Sequence, residues 1–288
     1  MTELPHLFTT SFFISLVILG LVVGSFLNVV IHRLPIMLEK QWQQESNNPF
    51  SAEQKKITQQ PYNLALPASH CPTCRHQIRL RENIPVLSYV LLKGRCSACK
   101  TQIPIRYPVI ECTTAAITLL VGWQFGISIE TVAYCFLSWF LLALAVIDYD
   151  TQLLPDVMTL PLVWGGLLFN SIATNVSLYD AVWGGAAGYL ALWSVFWAYK
   201  LVTGKDGMGY GDFKLLAALG AWLGWIMLPI IIFLSSLVGV LISLSLVALK
   251  RHAQNQPIPF GPYLSGAGFI ALLWGDQLRQ FYFQFMGI

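Results

Sequence analysis

The sequence predicts an all-α polytopic membrane protein of about eight transmembrane helices, with a small polar domain between the first and second helices. Three observations support this: hydrophobic residues make up 56% of the chain, charged residues make up only 11%, and basic residues cluster in a few loops. A soluble domain carries about 25% charged residues. This chain has too few to cover a surface that faces water on all sides. Its net charge of +3 does not favour nucleic acid as a partner.

Eight apolar segments are candidate membrane spans, for which about 20 mostly apolar residues are needed. They are residues 9–31, 108–125, 129–147, 157–172, 180–201, 213–225, 227–249 and 263–283. The sixth segment is short and contains glycine, so we expect it to be tilted or sheltered by its neighbours. The first is expected to be a retained span, because it has neither a basic region before it nor a small-residue cleavage site.

The positions of Lys and Arg predict the orientation in the membrane. Eleven of these residues lie between the first two spans, and others flank the loop after the fifth span or follow the seventh. The residues of these later groups are Lys200, Lys205, Lys214, Lys250 and Arg251. With eight alternating spans all of them fall on one face, which the positive-inside rule assigns to the cytoplasm. Both termini are then periplasmic.

Two C-x2-C pairs occur in the polar region between the first two spans. They are Cys71 with Cys74, and Cys96 with Cys99. Each pair brings two thiolates to one ion, and two pairs complete a tetrahedral four-cysteine zinc site. Because the cytoplasm keeps thiols reduced, disulfides are the weaker interpretation. Four thiolate ligands leave no position for water, so the zinc is expected to be structural and not catalytic.

Two acidic motifs stand where apolar segments meet polar turns. Asp148 ends the third segment in Ala-Val-Ile-Asp-Tyr-Asp, and Asp212 opens the sixth in Gly-Met-Gly-Tyr-Gly-Asp. A carboxylate at such an edge is costly unless it is hydrated, paired or functional. Since both turns are predicted on the cytoplasmic side, we expect Asp148 and Asp212 to form a dyad.

The neighbours of these aspartates are expected to play supporting roles. Asp150 is two residues from Asp148 and so points to another face of the helix. Asp150 and Asp156 are expected to be solvated or to cap a helix, with Asp156 as N-cap of the fourth span. The glycines at positions 207, 209 and 211 would let the backbone take positive φ and approach another chain closely. Lys214 is a possible local counter-charge.

Polar residues in the first two spans have two open interpretations. Glu111 lies just inside the second span, where it either pairs with Arg106 or another interfacial base, or contributes to a binding site. Asn28 and His32 are four residues apart and share one helix face. They either face other helices or belong to a substrate or cofactor site.

Taken in order, the motifs resemble those of the bacterial type IV prepilin peptidases over nearly the whole chain. The matching residues are Gly24-Ser-Phe-Leu-Asn28 with Arg33-Leu-Pro35, the four cysteines, Glu82-Asn-Ile-Pro85, Arg106-Tyr-Pro108 with Glu111, Asp148 with Pro155, Gly209-Tyr-Gly211-Asp212 and Pro259-Phe-Gly-Pro262. The resemblance implies an inner-membrane enzyme with two activities. It cuts the basic leader of prepilins and pseudopilins after a Gly on the cytoplasmic side. It then methylates the new α-amine, usually that of Phe, with S-adenosylmethionine.

The resemblance also implies residue roles and domains. Asp148 and Asp212 correspond to the protease carboxylates, and Gly94 to a position associated with methylation. Residues 1–33 are then the first transmembrane helix, 34–107 a cytoplasmic zinc-binding domain associated with methylation, and 108–288 a seven-helix peptidase domain. The chain has no G-x-G-x-x-G fingerprint for S-adenosylmethionine. Gly94 and Glu111 are the candidate residues for that site, with Glu111 or Glu82 as methylation base.

Two other classes of function fit part of the pattern. Acids beside interrupted helices also occur in ion-coupled transporters. Here, however, the acids are predicted at one face and not at mid-membrane, and we find no internal repeat. A zinc-stapled assembly scaffold without chemistry is the third hypothesis.

Overall fold

The computed structural model describes residues 4–46, 62–173, 175–249 and 258–286. Within these ranges the chain is helical apart from its connections and a polar region at residues 62–105 with little regular structure. Lys250 and Arg251, which contribute to the predicted orientation, lie outside the described residues.

Nine α-helices occur in the described part of the chain. They are α1 (Leu4–Ser46), α2 (Leu87–Leu91), α3 (Arg106–Phe125), α4 (Ile129–Thr151), α5 (Asp156–Ile172), α6 (Leu178–Thr203), α7 (Tyr210–Leu223), α8 (Leu228–Ala248) and α9 (Gly261–Met286). Each of the eight predicted segments coincides with one of the eight long helices. Short 3₁₀ turns occur at Leu80–Glu82 and Trp225–Met227.

Within the described ranges, five helices are long and apolar enough to cross a membrane. They are Thr10–Gln43, Arg106–Phe125, Ile129–Thr151, Leu178–Thr203 and Trp225–Ser245. The protein is therefore a multi-pass membrane protein. The predicted total of about eight spans is not confirmed by this criterion. α5 has 17 residues and α7 has 14, fewer than the roughly 20 that a span needs, and α9, although it has 26 residues, is not among the five.

The chain divides into two compact units, Met1–Ile127 and Ser128–Ile288. In the first unit α1 packs against α3 through glycines. A Cβ on Gly24 would stand 2.7 Å from the Cα of Glu111, and one on Gly20 would meet the backbone of Ala115. Small residues spaced this way let two membrane helices approach closely.

The first helix continues well beyond the predicted end of its span. It runs through Pro35 to Ser46. Arg33 is buried, and its guanidinium donates hydrogen bonds to the carbonyl oxygens of Asn63 (3.0 Å) and Pro67 (2.7 Å). The polar region is thereby attached to the side of α1, so the first span and the polar region belong to one compact unit.

In the second unit α7 is the central helix, and ten of its 14 residues are buried. Gly184 of α6 faces Gly220 of α7 with their backbones in contact, and a Cβ on Gly188 would stand 2.6 Å from the carbonyl oxygen of Leu216. The short sixth segment is therefore sheltered by its neighbours, as expected. At its end, Asn170 of α5 donates hydrogen bonds to the carbonyl oxygens of Ala221 and Trp222, which have no partner within the helix.

Candidate active site and metal centre

The two predicted aspartates lie at the same end of the second unit. Asp148 is in the last turn of α4, and Asp212 is in the first turn of α7. Their side chains are buried, with 5% and 6% exposure. Gly211, next to Asp212, packs against Leu154, six residues after Asp148, which brings the two acidic turns to the same end of the unit. Folding therefore brings together two acids that are far apart in the sequence.

A third segment reaches the same place. Oδ2 of Asp148 accepts a hydrogen bond of 2.9 Å from the backbone N–H of Gly261, the first residue of α9. Oδ1 of Asp212 is buried and has no hydrogen-bond partner among the described residues. A buried acceptor without a partner costs about 1–3 kcal/mol.

Two of the three glycines before Asp212, Gly207 and Gly211, serve close packing and not unusual backbone torsion. Among the described residues, positive φ at glycine occurs at Gly94, Gly126, Gly204 and Gly224. The glycines at positions 207, 209 and 211 therefore do not use the freedom to take positive φ. A Cβ on Gly211 would stand 2.6 Å from the Cβ of Leu154, and one on Gly207 would stand 2.7 Å from the Tyr199 ring. The lack of a side chain is what the packing requires here.

An ion pair joins the first turns of α5 and α7. Nζ of Lys214 lies 2.6 Å and 2.7 Å from the two carboxylate oxygens of Asp156. Lys214 is thus a counter-charge, and Asp156 is its partner. Asp156 is the first residue of α5 and Pro155 is the N-cap, so the N-cap prediction for Asp156 is wrong by one residue. Asp150 is exposed, as expected for a residue on another face from Asp148.

The four cysteines of the two C-x2-C pairs form one cluster. Their Sγ atoms all lie within 4.8 Å of one another. The Sγ of Cys71 is 3.7 Å from that of Cys99, and the Sγ of Cys74 is 4.0 Å from that of Cys96. A tetrahedral ion with bonds of about 2.3 Å to sulfur requires sulfur–sulfur distances of about 3.8 Å. The cluster therefore fits a tetrahedral metal ion.

The two cysteine pairs share one backbone geometry. Arg75 and Lys100, each following the second cysteine of its pair, have φ of 58° and 61°. Each donates its N–H to the carbonyl oxygen of the first cysteine, Cys71 (2.9 Å) or Cys96 (3.1 Å). His76 contacts Glu82, so it is engaged outside the cluster.

Glu82 has a structural environment. Its Oε2 accepts a hydrogen bond from the backbone N–H of Arg79 at 3.0 Å and lies 3.2 Å from Nε2 of His76. The Arg79 N–H and then the other donors lower the pKa of Glu82 to about 2. A carboxylate with so low a pKa is a weak base, so Glu82 is not favoured as the methylation base.

Glu111 has a different environment from Glu82. It is buried in α3, and its Oε2 accepts a hydrogen bond of 2.7 Å from the backbone N–H of Val86. Val86 has φ of 58°. This conformation is strained for a β-branched residue, and such strain occurs mostly where the surroundings enforce it. Glu111 therefore has a specific partner in the polar region, which the sequence did not indicate.

The other predicted positions of the first unit hold the backbone in place. Asn28 is buried and donates hydrogen bonds of 3.2 Å to the carbonyl oxygens of Gly24 and Tyr107, which supports the interpretation that it faces another helix. Gly94 has φ of +66°, and a Cβ there would stand 3.0 Å from the hydroxyl of Tyr89. Gly94 thus sets the turn between α2 and the second cysteine pair.

Two family models match this chain. Residues 18–125 match the bacterial peptidase A24 N-terminal domain, and residues 135–244 match the type IV leader peptidase family. This chain belongs to the type IV leader peptidase family. The first match includes the four cysteines and Glu111, and the second includes Asp148 and Asp212.

Similar proteins include several named prepilin leader peptidase/N-methyltransferase. The one from Aeromonas hydrophila is 54% identical over 280 residues, which cover 97% of each chain. The one from Pseudomonas aeruginosa is 53% identical over 277 residues, which cover 96% of this chain and 95% of the relative. The one from Neisseria gonorrhoeae is 48% identical over 265 residues, which cover 91% and 90%. No solved structure matches.

Two contacts at the functional sites of this leader peptidase family member could not be predicted from its sequence. They are the N–H of Gly261 on Asp148 and the N–H of Val86 on Glu111. A signal was present for the first, since Gly261 lies between two prolines just before the last helix. No signal marked Val86, because nothing in an apolar residue indicates a donated backbone N–H.

Proposed function

We propose that this protein removes the leader of type IV prepilins and pseudopilins and then methylates the new N-terminus. One observation carries the proposal: Asp148 and Asp212 are both buried at one end of the second unit, in a chain of the leader peptidase family. The relatives at about half identity are named for both activities.

Cleavage by two carboxyl groups needs one charged and one protonated. The charged group takes a proton from water as the water oxygen attacks the scissile carbonyl carbon. The protonated group donates a hydrogen bond to the carbonyl oxygen and later helps to protonate the leaving amine. Two buried carboxyl groups in electrostatic contact hold one proton between them, because two adjacent charges repel. The N–H of Gly261 orients Asp148 for this task.

We place the pair at the cytoplasmic side of the inner membrane, with about eight spans and both termini in the periplasm. The clustering of Lys and Arg supports this orientation. The ion pair between Asp156 and Lys214, and the contact of Gly261 with Asp148, place the starts of α5, α7 and α9 at the end that holds both aspartates.

The four-cysteine cluster is proposed to hold a structural Zn²⁺, which leaves no ligand position for water. Methylation uses S-adenosylmethionine, which supplies the methyl group when it is bound. The acceptor amine must lose a proton before its nitrogen can attack the methyl carbon. Glu111 is the proposed base, because it is buried beside the polar region, whereas the hydrogen bonds to Glu82 hold that carboxylate as a weak base.

The proposed function is tested with the purified protein, a synthetic prepilin and S-adenosylmethionine. Mass spectrometry of the products should show the free leader and a mature peptide heavier by one methyl group. Leader release without methylation would remove the second activity. Intact substrate, together with ion uptake by the protein in liposomes, would support the transporter hypothesis instead.

Replacing Gly261 by Ala is expected to reduce leader cleavage by about 10²-fold, the scale associated with misplacing a catalytic group by 1 Å. A Cβ on Gly261 would stand 2.7 Å from Oδ2 of Asp148 and would push the carboxylate aside. The matched control is Gly266→Ala in the same helix, where a Cβ meets nothing within 4 Å. Equal rates for the two variants would show that the Gly261 contact does not position Asp148.

Replacing Glu111 by Gln is expected to stop methylation of already cleaved pilin while cleavage continues, because Gln cannot accept the amine proton. Glu82→Gln is expected to keep methylation. Single-turnover methyl transfer, followed over a range of pH, separates loss of a base from loss of binding. Normal methylation by Glu111→Gln and loss in Glu82→Gln would reverse the assignment.

A further inference from the structure

The polar region of the first unit carries an exposed apolar surface. Leu80, Leu87, Val90 and Leu91 are 90%, 51%, 63% and 70% exposed. We call these four residues the apolar patch. Three of them belong to α2, which has the sequence Leu-Ser-Tyr-Val-Leu. Leu87, Val90 and Leu91 are three and four residues apart and so share one face of α2. An exposed apolar face of this kind marks a contact site for protein or membrane.

The structure holds this patch beside a membrane-spanning helix. The N–H of Val86, the residue before α2, donates its hydrogen bond to Glu111. Glu111 lies five residues past the start of α3, which is about 8 Å along the helix axis at 1.5 Å per residue. α3 is long and apolar enough to span a membrane. The patch therefore lies at the level of the first turns of a span and not far out in water.

The surroundings of the patch are basic. Residues 62–107 contain seven Lys and Arg and one acid, Glu82. Glu82 is already engaged by His76 and the N–H of Arg79. Arg81 and Lys93 are exposed and lie next to the patch in the sequence. An apolar face with basic residues beside it is the pattern of segments that lie in the interface of a bilayer with anionic lipids.

We propose that the apolar patch inserts into the interfacial layer of the bilayer, with Arg81 and Lys93 beside anionic lipid headgroups. The membrane is the occupant that the structure favours, because the hydrogen bond from Val86 to Glu111 holds the patch beside the first turns of α3. The insertion anchors the four-cysteine region to the membrane surface, in addition to its contacts with α1 through Arg33 and with α3 through Glu111. This inference rests on the membrane-spanning helices and not on the proposed enzymatic function.

The test places a photo-crosslinker at single positions of the full-length protein. p-Benzoylphenylalanine replaces Leu87 or Leu91 in the patch, and Thr73 or Ala98, which are exposed inside the two cysteine pairs, in the controls. Each variant is irradiated in nanodiscs of phosphatidylglycerol and phosphatidylcholine, and adducts are weighed. Phospholipid adducts are expected at 87 and 91 and not at 73 or 98. Equal lipid adducts at all four positions, or none at 87 and 91, would overturn the proposal.

Two further arms separate the possible partners. When a synthetic prepilin is present, peptide adducts replacing lipid adducts at 87 and 91 would identify the patch as a peptide-binding surface and overturn the proposal. Arg81→Glu combined with Lys93→Glu is expected to lower the lipid adduct yield at 91 in discs with phosphatidylglycerol and to leave it unchanged in discs of phosphatidylcholine alone. Unchanged yield in both discs would overturn the part assigned to headgroups. Metal content checks that each variant remains folded.

Discussion

Asp148→Asn and Asp212→Asn are each expected to abolish leader cleavage, with a loss of at least about 10²–10⁴-fold, the usual contribution of general acid–base catalysis. Asn has nearly the volume of Asp but neither takes nor supplies the proton that amide hydrolysis requires. Since both side chains are buried and Oδ1 of Asp212 makes no hydrogen bond among the described residues, the substitution at 212 removes little that stabilises the fold. Release of the leader from a synthetic prepilin measures the effect.

Asp150→Asn is the matched control for these variants. Asp150 is two residues from Asp148 but exposed, so it is expected to keep nearly full activity. Circular dichroism and metal content should be unchanged in all three variants. Normal cleavage by either Asp148→Asn or Asp212→Asn would end the proposal of a catalytic pair.

Replacing any cysteine of the cluster by Ser is expected to abolish metal binding and methylation. Structural zinc in small domains has an apparent binding free energy of about 10–16 kcal/mol, which the folded polar region gains only when all ligands are present. The Sγ atoms of the four cysteines lie within 4.8 Å of one another. Residues 62–105 have little regular structure that could keep the cysteines together without a metal ion. Cys96→Ser is therefore expected to lose about one equivalent of zinc per chain, measured by elemental analysis.

Cys112→Ser is the control for the metal site, because Cys112 lies in α3 outside the cluster. It is expected to retain full zinc content. Cleavage should fall less than methylation in Cys96→Ser, since both aspartates belong to the other compact unit. Full zinc content in Cys96→Ser would exclude the four-cysteine site.

Much of the candidate site could be predicted from local sequence. C-x2-C spacing brings two thiols together within one turn, so two such pairs indicate a metal cluster before any fold is known. Asp148 and Asp212 could be identified because a carboxylate next to a long apolar run is rare and costly. The apolar segments likewise predicted every long helix, since the length of an apolar run depends on the sequence alone.

The sequence does not identify the partner of a charged residue or the reason for a glycine. Lys214 pairs with Asp156, and the glycines before Asp212 avoid side-chain contacts with Leu154 and Tyr199. These outcomes depend on which helices pack side by side. A glycine in the sequence is compatible both with positive φ and with close packing, so the sequence does not distinguish the two. Because the neighbouring helices cover α7, an apolar segment as short as this one can lie at the centre of the second unit.

The sequence by itself determined that this is a helical membrane protein, which residues could bind a metal and which two acids stand at helix ends. Only the tertiary structure decided that the N–H of Gly261 donates to Asp148 and that the N–H of Val86 donates to Glu111. It also decided that Arg33 of α1 binds the backbone of the polar region. The physical reason is that composition and spacing act over a few residues. A hydrogen bond from a backbone N–H to a distant side chain exists only after the helices have packed.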